Sequence, residues 1–246
     1  MNATRRGFLL GCLCGCGFPH TGATGQSIAS TTEGQCFFDS AASQKAAGDV
    51  KNGLYRETSG DAGRDRTISG MLFQSVRTYG LNRAELPTFR FIPATVAGDG
   101  FATGDVIGPG TKGLVALNLK LLNGSDTMGL LGFQIIMAHE FAHIFQMRNQ
   151  YIDRFRAAGA QTREIELHAD YLAGWYMSQQ GEISTGLLEI VANTLFSRGD
   201  NNVDVREHHG TKVDRMSAVL KGYLSGTSTD VASAAALNGI LYLQDR

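Results

Sequence analysis

Three features of the sequence predict an α+β fold. Alternating apolar stretches are confined to the first half, helical periodicity fills the second, and a helix apolar on nearly every side lies between them. Residues 66–80 carry Ile68, Met71, Leu72, Val76 and Tyr79 at helical spacing, with Gly80 as a stop. Residues 88–92 follow Pro87 and alternate as a strand does. Residues 113–122 alternate in part and suggest a second strand, although the later half also suits a helix. Ser125 and Asp126 are placed to cap a long helix over 127–148. A second helix is expected over 162–180, ended by Gly181, with further helices near 184–197, 211–224 and 230–242. The expected molecule is mostly helical with a small N-terminal sheet.

A chain of 246 residues suits one large domain with its own core. Its net charge is −1 with the signs mixed, which points away from nucleic acid and from anionic membrane surfaces. Glycine is abundant at 31 and proline scarce at 4, so turns are expected but no stiff linker. No internal repeat is visible.

The N-terminus reads as an export segment. Thr4-Arg5-Arg6-Gly7-Phe8-Leu9-Leu10 joins paired arginines to a short apolar stretch, the mark of the twin-arginine route, and a general secretory signal shares that basic start. Ser27-Ile28-Ala29 offers a small-x-small cleavage site before Ser30. Cys12 and Cys16 each end a lipobox-like tetrapeptide, so lipid anchoring is the alternative to cleavage. Either outcome puts the protein in a periplasmic or extracellular setting. Cleavage at Ala29 leaves only Cys36, which rules out an intramolecular disulfide. Three segments are expected: residues 1–29 as signal, 30–65 as a small, polar, weakly structured lead-in, and 66–246 as the working domain.

His139-Glu140-Phe141-Ala142-His143 supplies the chemistry. Residues four apart share a helix face, so the two imidazoles aim at one spot and form half of a tetrahedral zinc site. Glu140 beside the first histidine can reach a metal-bound water, and the H-E-x-x-H pattern marks zinc metalloproteases with that glutamate as general base. The helix is too short and too interrupted to span a bilayer. Three ionisable groups buried in it within five residues demand a partner, and one metal ion satisfies them together.

A catalytic zinc takes three protein ligands and keeps one position open. Downstream, Glu166 and Asp170 are four apart on one face, whereas His168 stands about 200° round from Glu166. Glu166 is the favoured third ligand, with Asp170 accepting a hydrogen bond from a ligating histidine and fixing its tautomer. His168 is the alternative ligand, since three-histidine zinc sites exist. His208 and His209 form a pair in a polar stretch, and Trp175 and Tyr176 are expected to pack in the core.

H-E-x-x-H followed by Glu166-x-x-Ala169-Asp170 resembles the gluzincin metallopeptidases. It is closest to the soluble bacterial periplasmic relatives of CaaX-type prenyl endopeptidases and to the neutral zinc metallopeptidases. The resemblance spans about residues 97–220. It implies a zincin-like fold, Glu166 as third zinc ligand, and a segment over the site into which His209 and Arg215 fall. The membrane-embedded members are poor guides, because no long apolar span is present. The implied activity is hydrolysis of a polypeptide substrate. One Zn2+ on His139, His143 and Glu166 lowers the pKa of its water toward about 7. Glu140 takes the water's proton and passes it to the leaving amine, and His209 and Arg215 stabilise the oxyanion. The strand near 113–119 is expected to pair with an extended peptide at its edge. A competing reading is a zinc-bearing envelope protein that binds or chaperones partners with little or no proteolysis. A third is a metal-dependent hydrolase of non-peptide amides.

Overall fold

The computed structural model describes residues 40–82, 86–96, 98–104, 110–123, 126–189, 209–226, 228 and 230–246. The export segment with its cysteines, Cys36, Ser125 and His208 lie outside these residues. In chain order the elements are α1 (Ser40–Lys51), α2 (Ala62–Thr78), β1 (Leu86–Ile92), β2 (Gly100–Thr103) and β3 (Thr111–Asn118). A 3-10 turn (Leu119–Asn123) leads into α3 (Asp126–Arg148), followed by α4 (Tyr151–Ala157), α5 (Thr162–Ser178), α6 (Lys212–Ser225) and α7 (Ala232–Gln244). The molecule is mixed α/β, mostly helical with a small three-stranded sheet, as the α+β expectation requires. Among the described residues no helix is long and apolar enough to cross a membrane.

The sheet order is β1-β3-β2, with β1 parallel and β2 antiparallel to β3. Successive residues of β3 face opposite sides, and both sides are covered. Leu114 and Ala116 pack with Ala46 and Val50 of α1, while Val115 and Leu117 join the main core with Phe133 and Met137 of α3. Cover on both faces turns the clean alternation of a half-buried strand into a continuous apolar run. That is why residues 113–122 alternate only in part, and the later half does become a 3-10 turn.

Two expectations change here. The stretch 40–65, read as weakly structured, contains α1, the start of α2 and a bridge in which the Arg56 and Phe91 backbones exchange hydrogen bonds of 2.9 and 2.8 Å. Its apolar positions are mostly alanine, which carries little periodic signal yet packs closely on a sheet. The strand near 113–119 is also not an edge. It is flanked on both sides, and β2 takes the outer place beside it.

Every residue of α3 from Ile135 to Gln146 is buried, and so is every residue of α5 from Ile165 to Met177. A helix buried all round can present different side chains to different neighbours, and α5 does so towards α3, α6 and α7. The end of α2 ties the central pair together. The Tyr79 hydroxyl lies 2.9 Å from the Ala138 carbonyl of α3 and 3.1 Å from the Leu172 carbonyl of α5, and its ring stacks on Tyr176.

Helices α5 and α6 cross backbone on backbone. A Cβ on Gly174 would stand 1.9 Å from the Val219 carbonyl oxygen, and one on Gly222 would stand 1.9 Å from that of Tyr171. Neither obstacle is a flexible side chain, so an added methyl must push the helices apart. Gly174→Ala or Gly222→Ala is expected to cost about 3 kcal/mol or more in urea denaturation, the upper end for overpacking. Gly70→Ala, on an exposed part of α2 with nothing within 4 Å of the new Cβ, is expected to be stabilising by about 0.5–1 kcal/mol.

Candidate metal centre

The H-E-x-x-H turn lies in the fully buried part of α3, facing α5. His139 and His143 point their Nε2 atoms at each other, 3.0 Å apart. Glu166 of α5 closes the group, with Oε2 3.3 Å from His139 Nε2 and Oε1 3.5 Å from His143 Nε2. All three side chains are buried, and together they form a set that could hold a metal ion.

The imidazole protons are directed elsewhere. His139 Nδ1 lies 2.9 Å from Asp170 Oδ1, and a carboxylate oxygen only accepts, so Nδ1 carries the proton. His143 Nδ1 lies 2.8 Å from Gln146 Oε1, which likewise accepts. With Nδ1 protonated, the neutral form of each ring turns its Nε2 lone pair toward the other ring and the Glu166 carboxylate. Three acceptors converging on one point repel unless positive charge stands between them. One proton joins two of the three; a divalent cation joins all.

The two Nε2 atoms are 3.0 Å apart, His139 Nε2 is 3.3 Å from one Glu166 oxygen and His143 Nε2 is 3.5 Å from the other, each close to the separation of about 3.3 Å between neighbouring ligands of a tetrahedral zinc. Burial alone would push the Glu166 carboxyl up, but positive charge at His143 and hydrogen bonds from His139, His143 and His209 hold it well below the usual carboxylate range. The site thus favours an anionic carboxylate with a cation beside it.

Asp170 occupies the place expected of it and has a partner of its own. Arg215 of α6 binds it with two parallel hydrogen bonds, Nε to Oδ2 at 2.8 Å and Nη2 to Oδ1 at 2.9 Å. Burial raises the Asp170 pKa, and the charge of Arg215 together with the hydrogen bond from His139 outweighs it, so Asp170 stays ionised. This corrects the expected role of Arg215. Its guanidinium holds the aspartate that holds His139, with Glu166 Oε2 at a longer 3.7 Å. The close crossing at Gly174 and Gly222 lets α6 bring Arg215 that near.

His209 is nearly buried, with Nδ1 3.6 Å from Glu166 Oε2. Gly210 follows with φ +96°, a left-handed turn that a residue with a side chain rarely adopts. A Cβ at Gly210 would also meet Leu167 Cδ2 at 3.1 Å. Glu140 is buried between the histidines. A Cβ on Gly100, at the start of β2, would stand 3.1 Å from its Oε1, so the carboxylate lies beside the edge strand.

His168 points away from the cluster. Its Nε2 lies 2.9 Å from the Ala236 carbonyl of α7 and its Nδ1 2.9 Å from Gln146 Nε2. Burial pushes its pKa down to about 4, so the ring is neutral near pH 7. Gln146 is the site residue that sequence reasoning missed. The signal was present, since a lone polar residue in a buried stretch needs partners as an ionisable one does. Trp175 and Tyr176 pack in the core as expected.

No family model, curated protein sequence or solved structure matches the chain. The case for a metal therefore stands on the donor set, its spacing and the fixed tautomers.

Removing one partner of a buried ion pair strands the other. Arg215→Met is expected to be destabilising by about 3–5 kcal/mol in urea denaturation. Arg163→Met, which loses partly exposed pairs with Glu164 and Asp214, should cost less than about 1 kcal/mol. Equal losses would contradict the role given to Arg215.

Proposed function

We propose that the chain is a zinc-dependent endopeptidase with a zincin-like site. The observation that carries this is the convergence of His139 Nε2, His143 Nε2 and Glu166, with Glu140 next to His139 in sequence. Two neutral imidazoles and a carboxylate suit zinc, and three protein ligands are the number that a catalytic zinc uses. Bound zinc would lower the pKa of a coordinated water toward about 7 and polarise the scissile carbonyl.

The chain's own residues supply the rest. Glu140 accepts the attacking water's proton on its carboxylate and returns it to the leaving nitrogen. His209, in the turn before α6, donates to the developing oxyanion. Asp170 keeps the proton of His139 on Nδ1, and Arg215 keeps Asp170 ionised and oriented. The start of β2 lies beside Glu140 at Gly100, so this strand stands next to the proposed base. The twin-arginine start supports action outside the cytoplasm.

Glu140→Gln keeps the ligand set and removes the base. It should retain one zinc per chain and lose peptide hydrolysis by about 10²–10⁴-fold in a peptide-library digest; undiminished cleavage would rule out Glu140 as the base. Glu166→Ala should fail to retain zinc in metal analysis. A wild-type protein that holds zinc yet shows no chelator-sensitive cleavage would favour the binding-protein reading instead.

A further inference from the structure

The two histidines are held by different chemistry. His139 is oriented by an ionised carboxylate, whereas His143 is oriented by a neutral amide whose direction is set elsewhere in the fold. We infer that Gln146 is a positioning residue for the metal centre, fixing the tautomer and ring angle of His143, and that His168 and α7 in turn fix Gln146. The inference rests on the metal reading above.

The assignment begins at α7. The Ala236 carbonyl can only accept, so the His168 nitrogen 2.9 Å from it, Nε2, carries that ring's proton. The Ile165 carbonyl likewise only accepts, so the Gln146 atom 2.9 Å from it is the amide nitrogen. The same nitrogen lies 2.9 Å from His168 Nδ1, the ring nitrogen without the proton, and gives it the second amide hydrogen. With both amide hydrogens used on α5, Oε1 faces His143 Nδ1 at 2.8 Å and accepts its proton. The His143 Nε2 lone pair is then left facing His139 and Glu166. One consistent pattern of donors and acceptors runs from the α7 backbone to the ligand atom.

The surroundings oppose any reversal. His143, Gln146 and His168 are fully buried, so turning the amide over would leave acceptors facing acceptors with no water to relieve them. The His168 ring is gripped as well. A Cβ on Gly239 of α7 would stand 2.9 Å from its Cδ2, and the rings of Tyr151 and Phe155 pack against it at 5.6 and 5.1 Å. Close approach of α7 at Gly239 is what lets Ala236 reach His168. The C-terminal helix is thereby coupled to the site through side chains that never touch the ion.

The test is zinc affinity by competition with a chromophoric chelator, with thermal melting of the metal-free proteins alongside. Gln146→Ala should bind zinc about 10–100-fold more weakly than wild type. Gln146→Glu keeps an acceptor for His143 but loses the amide donors, so it should recover wild-type affinity or better while its metal-free form melts lower. A purely structural Gln146 would lose affinity and melting temperature together in both variants. Wild-type affinity in the alanine variant, or a glutamate variant no better than alanine, would overturn the inference. Should neither variant fold, the wild-type imidazole ¹⁵N spectrum decides: His168 protonated on Nε2 and His143 on Nδ1 are expected, and His168 protonated on Nδ1 would overturn it. A wild-type protein that takes up no zinc would refute the metal reading itself, and the same spectrum would still report the tautomers.

Discussion

Two imidazole nitrogens and a carboxylate, buried with each nitrogen within 3.5 Å of a carboxylate oxygen, repel as acceptors, and apolar helices offer nothing to relieve them. Most of what surrounds His139, His143 and Glu166 serves to keep that arrangement in place. Asp170 and Gln146 take the ring protons away from the centre, and burial keeps water from softening the repulsion. Positive charge at the shared point lowers the energy, and a metal ion there would reach all three residues. A binding site of this kind is a local conflict that the fold maintains and the ligand resolves.

Maintaining it requires α3 and α5 to keep their distance and rotation. Tyr79 reaches both backbones just beyond the ligands, at Ala138 and Leu172. On the far side of α5 the Gly174–Gly222 crossing draws α6 close enough for Arg215 to clasp Asp170. On a third side α7 presses on His168, and through Gln146 on His143. The sheet contributes differently. It packs against α3 and sets the start of β2 beside Glu140.

Much of this was legible in the sequence, because helix geometry is local. Four-residue spacing placed His139 with His143 and Glu166 with Asp170, and a separation of about 200° set His168 apart from Glu166. The polar groups inside apolar stretches marked where partners had to exist. What could not be read was pairing between distant segments. Arg215 sits 45 residues from Asp170, and nothing local shows that its guanidinium meets that carboxylate rather than a substrate. Strand order is equally non-local: nothing near residues 113–119 shows that β2, only four residues long, lies outside β3. Helix α1 escaped because its buried face is alanine with one valine. Gln146 carries no charge to mark it, yet an uncharged amide in a dry stretch is bound by the same rule of satisfaction.

The central claim is that His139, His143 and Glu166 together hold one ion between α3 and α5. A crystal of the zinc-loaded protein measured on both sides of the zinc absorption edge tests it most directly. The expected result is a single anomalous peak within about 2.0–2.2 Å of His139 Nε2, His143 Nε2 and a Glu166 oxygen, with His168 still on the Ala236 carbonyl. A peak bound by His168, or no peak between these helices, would contradict the account.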